Sequence, residues 1–384
     1  MKAYIFPGQG SQYKGMGKGL FDQYTDRVQL ADAVLGYSIA EICLDDPERK
    51  LGFTQYTQPA LYVVNALSYQ NEIQKTGQLP NYLAGHSLGE YNALQASGAI
   101  SFEDGLKLVK KRGELMSQAP KGAMAAILGS TENNISQLLK NNGLSTVDIA
   151  NYNAHDQTVI SGLEEDIANA QSLFNEDHIK FIPLNTSGAF HSRYMKSAAS
   201  EFNHYIRQFT FFPLEIDVIS NVYARSYTQK KIKENLVSQI TRPVKWSDSI
   251  CHMIELGVTE FEELGAGHVL TTLIEKIQTH KKEAEQCSVV SKDKNIPAEN
   301  IEADFSGENM SIVENADKIV TAWNDACPVG TRVSCKNHDD VLETRTEAIL
   351  LFDRKAAIYM QGYTGYFELA DVQPVSDKKM SVSR

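Results

Sequence analysis

The sequence predicts an α/β fold: a parallel sheet with helices on both faces, a compact βαββαβ insertion and a small β-rich module at the carboxy-terminal end. Three observations carry this. Over residues 1–122 short apolar runs alternate with helical periodicity. Over 123–188 the alternation tightens into closely spaced strand and helix patterns. Beyond residue 280 a charged, polar stretch gives way to short strand patterns separated by turn residues.

Taken in order, Ala3–Phe6 reads as a strand, a helix reads near Tyr13–Tyr24, and a longer one near Thr57–Lys75. A strand at Tyr82–Ala84 hands over to a helix from Leu88, and another helix follows Ser101, whose spacing to Asp104 resembles a capping box. In the insertion, Met124–Leu128, Val147–Tyr152, Thr158–Ser161 and Lys180–Leu184 read as strands, with helices at Asn133–Lys140 and Glu164–Phe174. That order is the split-βαβ, or ferredoxin-like, motif. It returns the chain at Gly188–Ser192, on the seam between two domains, where ligand sites are favoured. The larger domain therefore comprises 1–122 and 189–280. Residues 281–310, with Pro297 and Gly307, read as a linker. In the accessory domain, 311–384, Ala316, Ile319, Val320 and Trp323 share one helical face. Thr331–Cys335, Ala348–Phe352, Ala357–Gln361 and Tyr366–Val372 read there as short strands.

A chain of 384 residues with 42% hydrophobic and 22% charged residues has the composition of a soluble globular protein. The net charge of −11 argues against broad nucleic-acid binding, and Lys107, Lys110 and Lys111 read as a solvated helix face. No stretch approaches the apolar length of a membrane span or a signal peptide, so a cytoplasmic location is expected. Five scattered cysteines fit free thiols better than a disulfide framework, and no Cys/His spacing suggests a metal site.

The chemistry concentrates around Ser87. Gly85-His86-Ser87-Leu88-Gly89 lies where an apolar run gives way to a helical pattern, as in a sharp strand-to-helix turn that projects a nucleophilic hydroxyl. Side chains at Gly85 and Gly89 would collide with the neighbouring turn, and the Leu88 N–H at the helix start points toward the same spot. Three further segments could complete such a site. Phe6-Pro7-Gly8-Gln9-Gly10-Ser11-Gln12 can bring main-chain N–H groups to a substrate oxygen. His191, one of nine histidines, can serve as base, and Arg112 supplies a fixed positive charge beside Gly113, a sign of close backbone approach.

Taken together, Gly8–Gln12, Gly85–Glu90, Arg112, Gly188–Ser192 and Val237-Ser238-Gln239 … Pro243-Val244-Lys245-Trp246 resemble malonyl-CoA:acyl carrier protein transacylases in order and spacing. Val34–Ile39 and Thr57–Leu67 are most similar to the freestanding acyltransferases that serve polyketide synthases. The resemblance covers residues 1 to about 280. It implies the acyltransferase fold, an α/β-hydrolase-like domain carrying a ferredoxin-like subdomain. It also implies malonyl transfer from malonyl-CoA through Ser87 to an acyl carrier protein, with neither metal nor organic cofactor and with polyketide synthase modules as further partners. In that pattern His191 is the base, favoured over its competitor His86, and the Gln239 main-chain carbonyl orients it. The side chain of Gln239 is expected to matter less than its backbone. The N–H groups of Gln9 and Leu88 form the oxyanion hole, Arg112 binds the malonyl carboxylate, and Phe190 crowds an α-methyl branch. Alternatives are a hydrolase that clears stalled acyl groups from carrier proteins, whose relatives lack the arginine, and a catalytically silent docking subunit.

Overall fold

The computed structural model describes residues 1–174, 178–292, 319–324, 326–327, 331–335, 341–344, 348–351, 355–360 and 366–374. The chain divides into two units, Met1–Asn295 and Ile296–Arg384. Strands of the first are β1 (Lys2–Phe6), β2 (Tyr82–Gly85), β3 (Ala123–Leu128), β4 (Asp148–Ala154), β5 (Gln157–Gly162), β6 (Lys180–Pro183), β7 (Asp217–Ile219) and β8 (Glu260–Glu263). One sheet has the order β7-β2-β1-β8, parallel throughout. Phe6 pairs with Gly85, so the loop after β1 and the turn after β2 leave the same edge side by side.

Alternation along β1 assigns its two faces. Tyr4 and Phe6 pack into one core with α1 (Leu20–Gln23), α2 (Thr25–Leu35), α3 (Ile39–Asp45), α4 (Thr54–Thr76), α5 (Gly89–Ala96) and α6 (Phe102–Ser117). Ala3 and Ile5 face a second core, supplied by α11 (Trp246–Glu255) and α12 (Val269–Lys292). The remaining helices are α7 (Glu132–Asn141) and α8 (Glu164–Ala170) in the insertion, with α9 (Lys196–Ile206) and α10 (Ile232–Gln239) after it. A strand buried on both faces explains the unbroken apolar run Ala3–Phe6.

The insertion has the sheet order β4-β5-β3-β6, antiparallel throughout, as the ferredoxin-like motif requires. Its own core joins Ala125, Ile127 and Ile160 to Ile135, Leu139 and Ile167. It is stitched to the larger domain at Val244, whose N–H donates to Ala150 O and whose carbonyl accepts from Tyr152 N–H, both at 2.9 Å.

Several expectations give way. Most of Tyr13–Tyr24 is turn, because Gly15, Gly17 and Gly19 each take a positive φ and only Leu20–Gln23 is helical. Helix α12 continues to Lys292, into the stretch read as linker, where Lys281, Lys282, Glu283, Ala284, Glu285 and Gln286 are strong helix formers. Lys110 does more than face solvent: half-buried, its ammonium donates to the Val34 and Leu35 carbonyls (3.0 and 3.2 Å) and so caps the end of α2.

In the second unit, β9 (Arg332–Cys335) lies between β10 (Val341–Glu343) and β14 (Val372–Pro374), while β11 (Ile349–Leu351), β12 (Lys355–Tyr359) and β13 (Tyr366–Glu368) form another antiparallel sheet. Val333, Ile358 and Met360 are fully buried there, and Val320 and Trp323 pack against the same core. Strand β10 falls between the expected strands. Ala316, Phe352 and Gln361 lie outside the described residues. Among the described residues no helix is long and apolar enough to cross a membrane, no His/Cys/Asp/Glu cluster could hold a metal, and Cys43, Cys251 and Cys327 are free thiols.

Candidate active site

Ser87 occupies the turn between β2 and α5 with φ +51°, a conformation L-residues adopt only under constraint. The glycines around it make the constraint possible. A Cβ on Gly85 would lie 1.9 Å from the Gly89 carbonyl carbon, and one on Gly89 would lie 2.0 Å from Phe6 O. The second obstacle is thus the end of β1 rather than the turn itself. Gly8 allows the loop after β1 to close on this turn, since a Cβ there would meet His86 O at 2.4 Å. Asn65 secures the loop by donating to Pro7 O at 3.0 Å. Among the described residues neither the Gln9 nor the Leu88 main-chain N–H has an acceptor.

His191 reaches Ser87 from the far side of the insertion. Its Nε2 is 2.7 Å from Ser87 Oγ and its Nδ1 is 2.8 Å from the Gln239 carbonyl oxygen. A carbonyl can only accept, so Nδ1 carries the hydrogen and Nε2 is left to accept from the serine hydroxyl. The residue is buried and, like Ser87, has a positive φ, +57°. Burial, reinforced by the nearby Arg112 charge, pushes the imidazole pKa down to about 3, so the ring is neutral around pH 7. His86 is turned elsewhere: its Nε2 meets Asn153 Oδ1 at 2.9 Å and its ring packs on Trp246.

Arg112 projects from α6, which Gly113 lets approach α4 closely. A Cβ at Gly113 would stand 3.1 Å from Thr54 O. The guanidinium is 1% exposed, and burial lowers its pKa from the ordinary arginine value without removing its charge. Nη1 donates to Gln58 Oε1 (2.7 Å), while Nη2 donates to Ser87 Oγ (3.1 Å) and Gln239 Oε1 (2.9 Å). Its neighbours are amides, a hydroxyl and the face of Tyr91, and among the described residues no carboxylate lies within ion-pair distance. A buried cation placed so is a receptor for an anion.

Gln9, Ser87, Leu88, Arg112, Phe190 and His191 all line one cleft enclosing about 490 Å³ of empty space, part of it open to solvent. Gln58, His86, Met116, Met124, Asn151, Leu184 and Thr186 complete its walls. His191 also borders a wider cleft of about 1010 Å³, rimmed by Lys196, Arg242, Thr241 and an Arg193–Asp148 pair.

The Gln239 side chain departs from expectation. Its Nε2 donates to Ser87 O (2.7 Å) and to Glu90 Oε2 (2.5 Å), and its Oε1 accepts from Arg112. Sequence reasoning missed these bonds, together with Gln58, Glu90 and Asn221. The sequence offers only faint signals for two of them, Glu90 as the one charged residue of α5 and Gln58 immediately before the run Pro59–Val64 of α4, and none for Asn221.

The model of the acyl transferase domain family matches residues 3–306. The chain belongs to this family. A polyketide biosynthesis malonyl CoA-acyl carrier protein transacylase of Bacillus velezensis is 54% identical over 280 residues, covering 72% of this chain and 97% of the relative. The crystal structure of a malonyl CoA-acyl carrier protein transacylase from Burkholderia pseudomallei superposes with a TM-score of 0.72 at 50% identity, over 73% of this chain and 98% of that one. A malonyl-transacylase in complex with a type II polyketide synthase acyl carrier protein superposes at 0.69 with 33% identity, over 72% and 92% of the two chains. The acyl transferase fold expected from the sequence is therefore the one observed.

Proposed function

We propose that this acyl transferase carries malonyl groups from malonyl-CoA to the phosphopantetheine thiol of an acyl carrier protein, supplying a polyketide synthase. One observation carries the reading: Ser87 Oγ lies within hydrogen-bond distance of both a neutral imidazole and a buried guanidinium. Nucleophile, base and carboxylate receptor meet at a single atom. Relatives that act on malonyl-CoA and carrier proteins support the choice of substrates.

Ser87 Oγ attacks the thioester carbonyl while His191 Nε2 takes its proton, and the Gln9 and Leu88 N–H groups receive the oxyanion. The C–S bond breaks, the proton passes from Nε2 to the departing CoA sulfur, and malonyl-Ser87 remains. The carrier-protein thiol then repeats the sequence in reverse, losing its proton to His191. The Gln239 carbonyl keeps the tautomer but adds no full charge to stabilise the imidazolium. Arg112 exchanges its bond to Ser87 Oγ for the malonyl carboxylate, gaining the counter-charge it lacks. Phe190, buried in the wall, limits room for an α-branch. Lys196 and Arg242 at the mouth suit the phosphate-bearing arm of both donor and acceptor. No step of this route calls for a metal or organic cofactor, and malonyl-CoA as the donor supports a cytoplasmic location.

Intact-protein mass after incubation with malonyl-CoA, acetyl-CoA and methylmalonyl-CoA tests this. The expected result is a malonyl adduct that dominates the other two, disappears in folded Ser87→Ala protein, and is discharged by adding a phosphopantetheinylated carrier protein. A stable malonyl adduct on Ser87→Ala would overturn the reading.

A further inference from the structure

Resting on the acyl-transfer reading above, we propose that Glu90 is the positioning residue of this site. Its carboxylate, acting through Asn221 and the Gln239 side chain, holds the strained Ser87 turn and keeps Arg112 beside Ser87 Oγ.

Glu90 is fully buried in the first turn of α5. Its Oε1 accepts from the Asn221 N–H (2.7 Å) and the Tyr227 hydroxyl (2.9 Å), and its Oε2 from Gln239 Nε2. Two arms run from there to the nucleophile. Asn221 Oδ1 accepts the Ser87 N–H at 2.7 Å while its Nδ2 donates to Gly85 O at 2.7 Å. Gln239 Nε2 donates to the Ser87 carbonyl, and the same residue's main chain accepts from His191. Both main-chain polar groups of a residue at φ +51° are therefore held by amide side chains anchored on one carboxylate.

The charge matters because an amide is symmetric in shape and not in polarity. Glu90 only accepts, which turns Gln239 Nε2 toward it and leaves Oε1 for the guanidinium. With the amide reversed, two donors would face each other at Arg112 Nη2, and the guanidinium would swing from Ser87. Burying a carboxylate for this purpose is costly. Burial pushes its pKa up to about 7, against the pull of Asn221, Tyr227, Gln239 and the Arg112 charge. The other titratable groups facing it, Tyr91 and Tyr227, stay neutral because burial raises their hydroxyl pKa values. A proton arriving on Glu90 goes to Oε2, the oxygen with the single donor, and removes the charged one of the two acceptors that orient Gln239, leaving the Ser87 carbonyl alone. Ordinary substrate groups do not titrate there, and His191 titrates far lower.

The test compares wild type, Glu90→Gln and Tyr227→Phe as full chains of verified fold. One readout is the labelling rate of Ser87 by a fluorophosphonate, which needs nucleophile and base but no malonate. The other is kcat/KM for malonyl and acetyl thioesters of N-acetylcysteamine, which carry no phosphate, from about pH 5.5 to 9. In Glu90→Gln we expect labelling to slow roughly tenfold and the malonyl rate to fall roughly a hundredfold, so that preference over acetyl drops about tenfold. The wild-type rate should decline below about pH 7, and this limb should vanish in Glu90→Gln. Tyr227→Phe, with one donor fewer on the carboxylate, should move the limb to higher pH. Folded Glu90→Gln with wild-type labelling, preference and pH profile would overturn the proposal. If that variant does not fold, an unmoved limb in Tyr227→Phe overturns it. Wild-type protein that labels at Ser87 but takes no malonyl would remove the functional reading, while the labelling comparison still judges Glu90.

Discussion

The turn around Ser87 and the end of α10 around Gln239 meet at the same few atoms, yet they are built in opposite ways. Much of the Ser87 geometry comes from its own segment: Gly85 permits a close approach to Gly89, Gly89 permits one to the end of β1, and the β2-to-α5 turn aims the hydroxyl that Asn221 and Gln239 then hold in place. Gln239 is an unremarkable last residue of a helix, and its role comes entirely from distant partners at Ser87, Glu90, Arg112 and His191. A nucleophile can be specified by a short motif because its strain is local. A scaffold that orders several side chains has no such signature, since each bond depends on where the rest of the chain has folded.

His191 joins the two regions, so its loss should have the largest effect. His191→Ala removes the base from Ser87 and the partner from the Gln239 carbonyl together. Malonyl loading, followed as adduct mass against time, should fall by roughly three to four powers of ten. Near-normal loading would show that the two regions act independently and that another group takes the proton.

Arg112 comes next, because both regions contact it but only the carboxylate-bearing substrate uses its charge. Arg112→Gln should lower kcat/KM for malonyl-CoA by two to three powers of ten, roughly 3–4 kcal/mol, while acetyl-CoA stays level or improves. Competition between the two thioesters reads the inversion directly. If both rates dropped together, the guanidinium would be a structural strut between Gln58 and Gln239.

The same contrast explains how much of the molecule the sequence discloses. Strand and helix order in the insertion, the parallel core and the Ser87 turn follow from period, glycine and apolar runs, which are local properties. Tyr13–Tyr24 misleads because helical periodicity outweighed three glycines at positive φ, and the start of the linker misleads because polar helix formers resemble a solvated tether. Within the site, Ser87, Arg112 and His191 stand out as chemically capable residues. Glu90 and Asn221 do not, since nothing in the residues around Asn221 says that its amide will meet Ser87 from 134 positions away. The Gln239 side chain is hidden for the same reason, even where its backbone role is expected.

The smallest effect is expected where neither region reaches. Every residue argued to position or bind substrate lies in Met1–Asn295, which carries its own sheets and cores, while the described strands of Ile296–Arg384 surround a separate core at Val333, Ile358 and Met360. A chain ending at Asn295 should therefore remain soluble, unfold cooperatively, and transfer malonyl to a free carrier protein within about twofold of the full-length rate. Gel filtration, thermal unfolding and the carrier-protein discharge assay check this together. A shortened chain that aggregates would show that the second unit covers an apolar surface of the first. One that loads Ser87 normally but fails to discharge to the carrier protein would assign carrier recognition to the second unit, and the boundary between chemistry and recognition would then fall at Asn295.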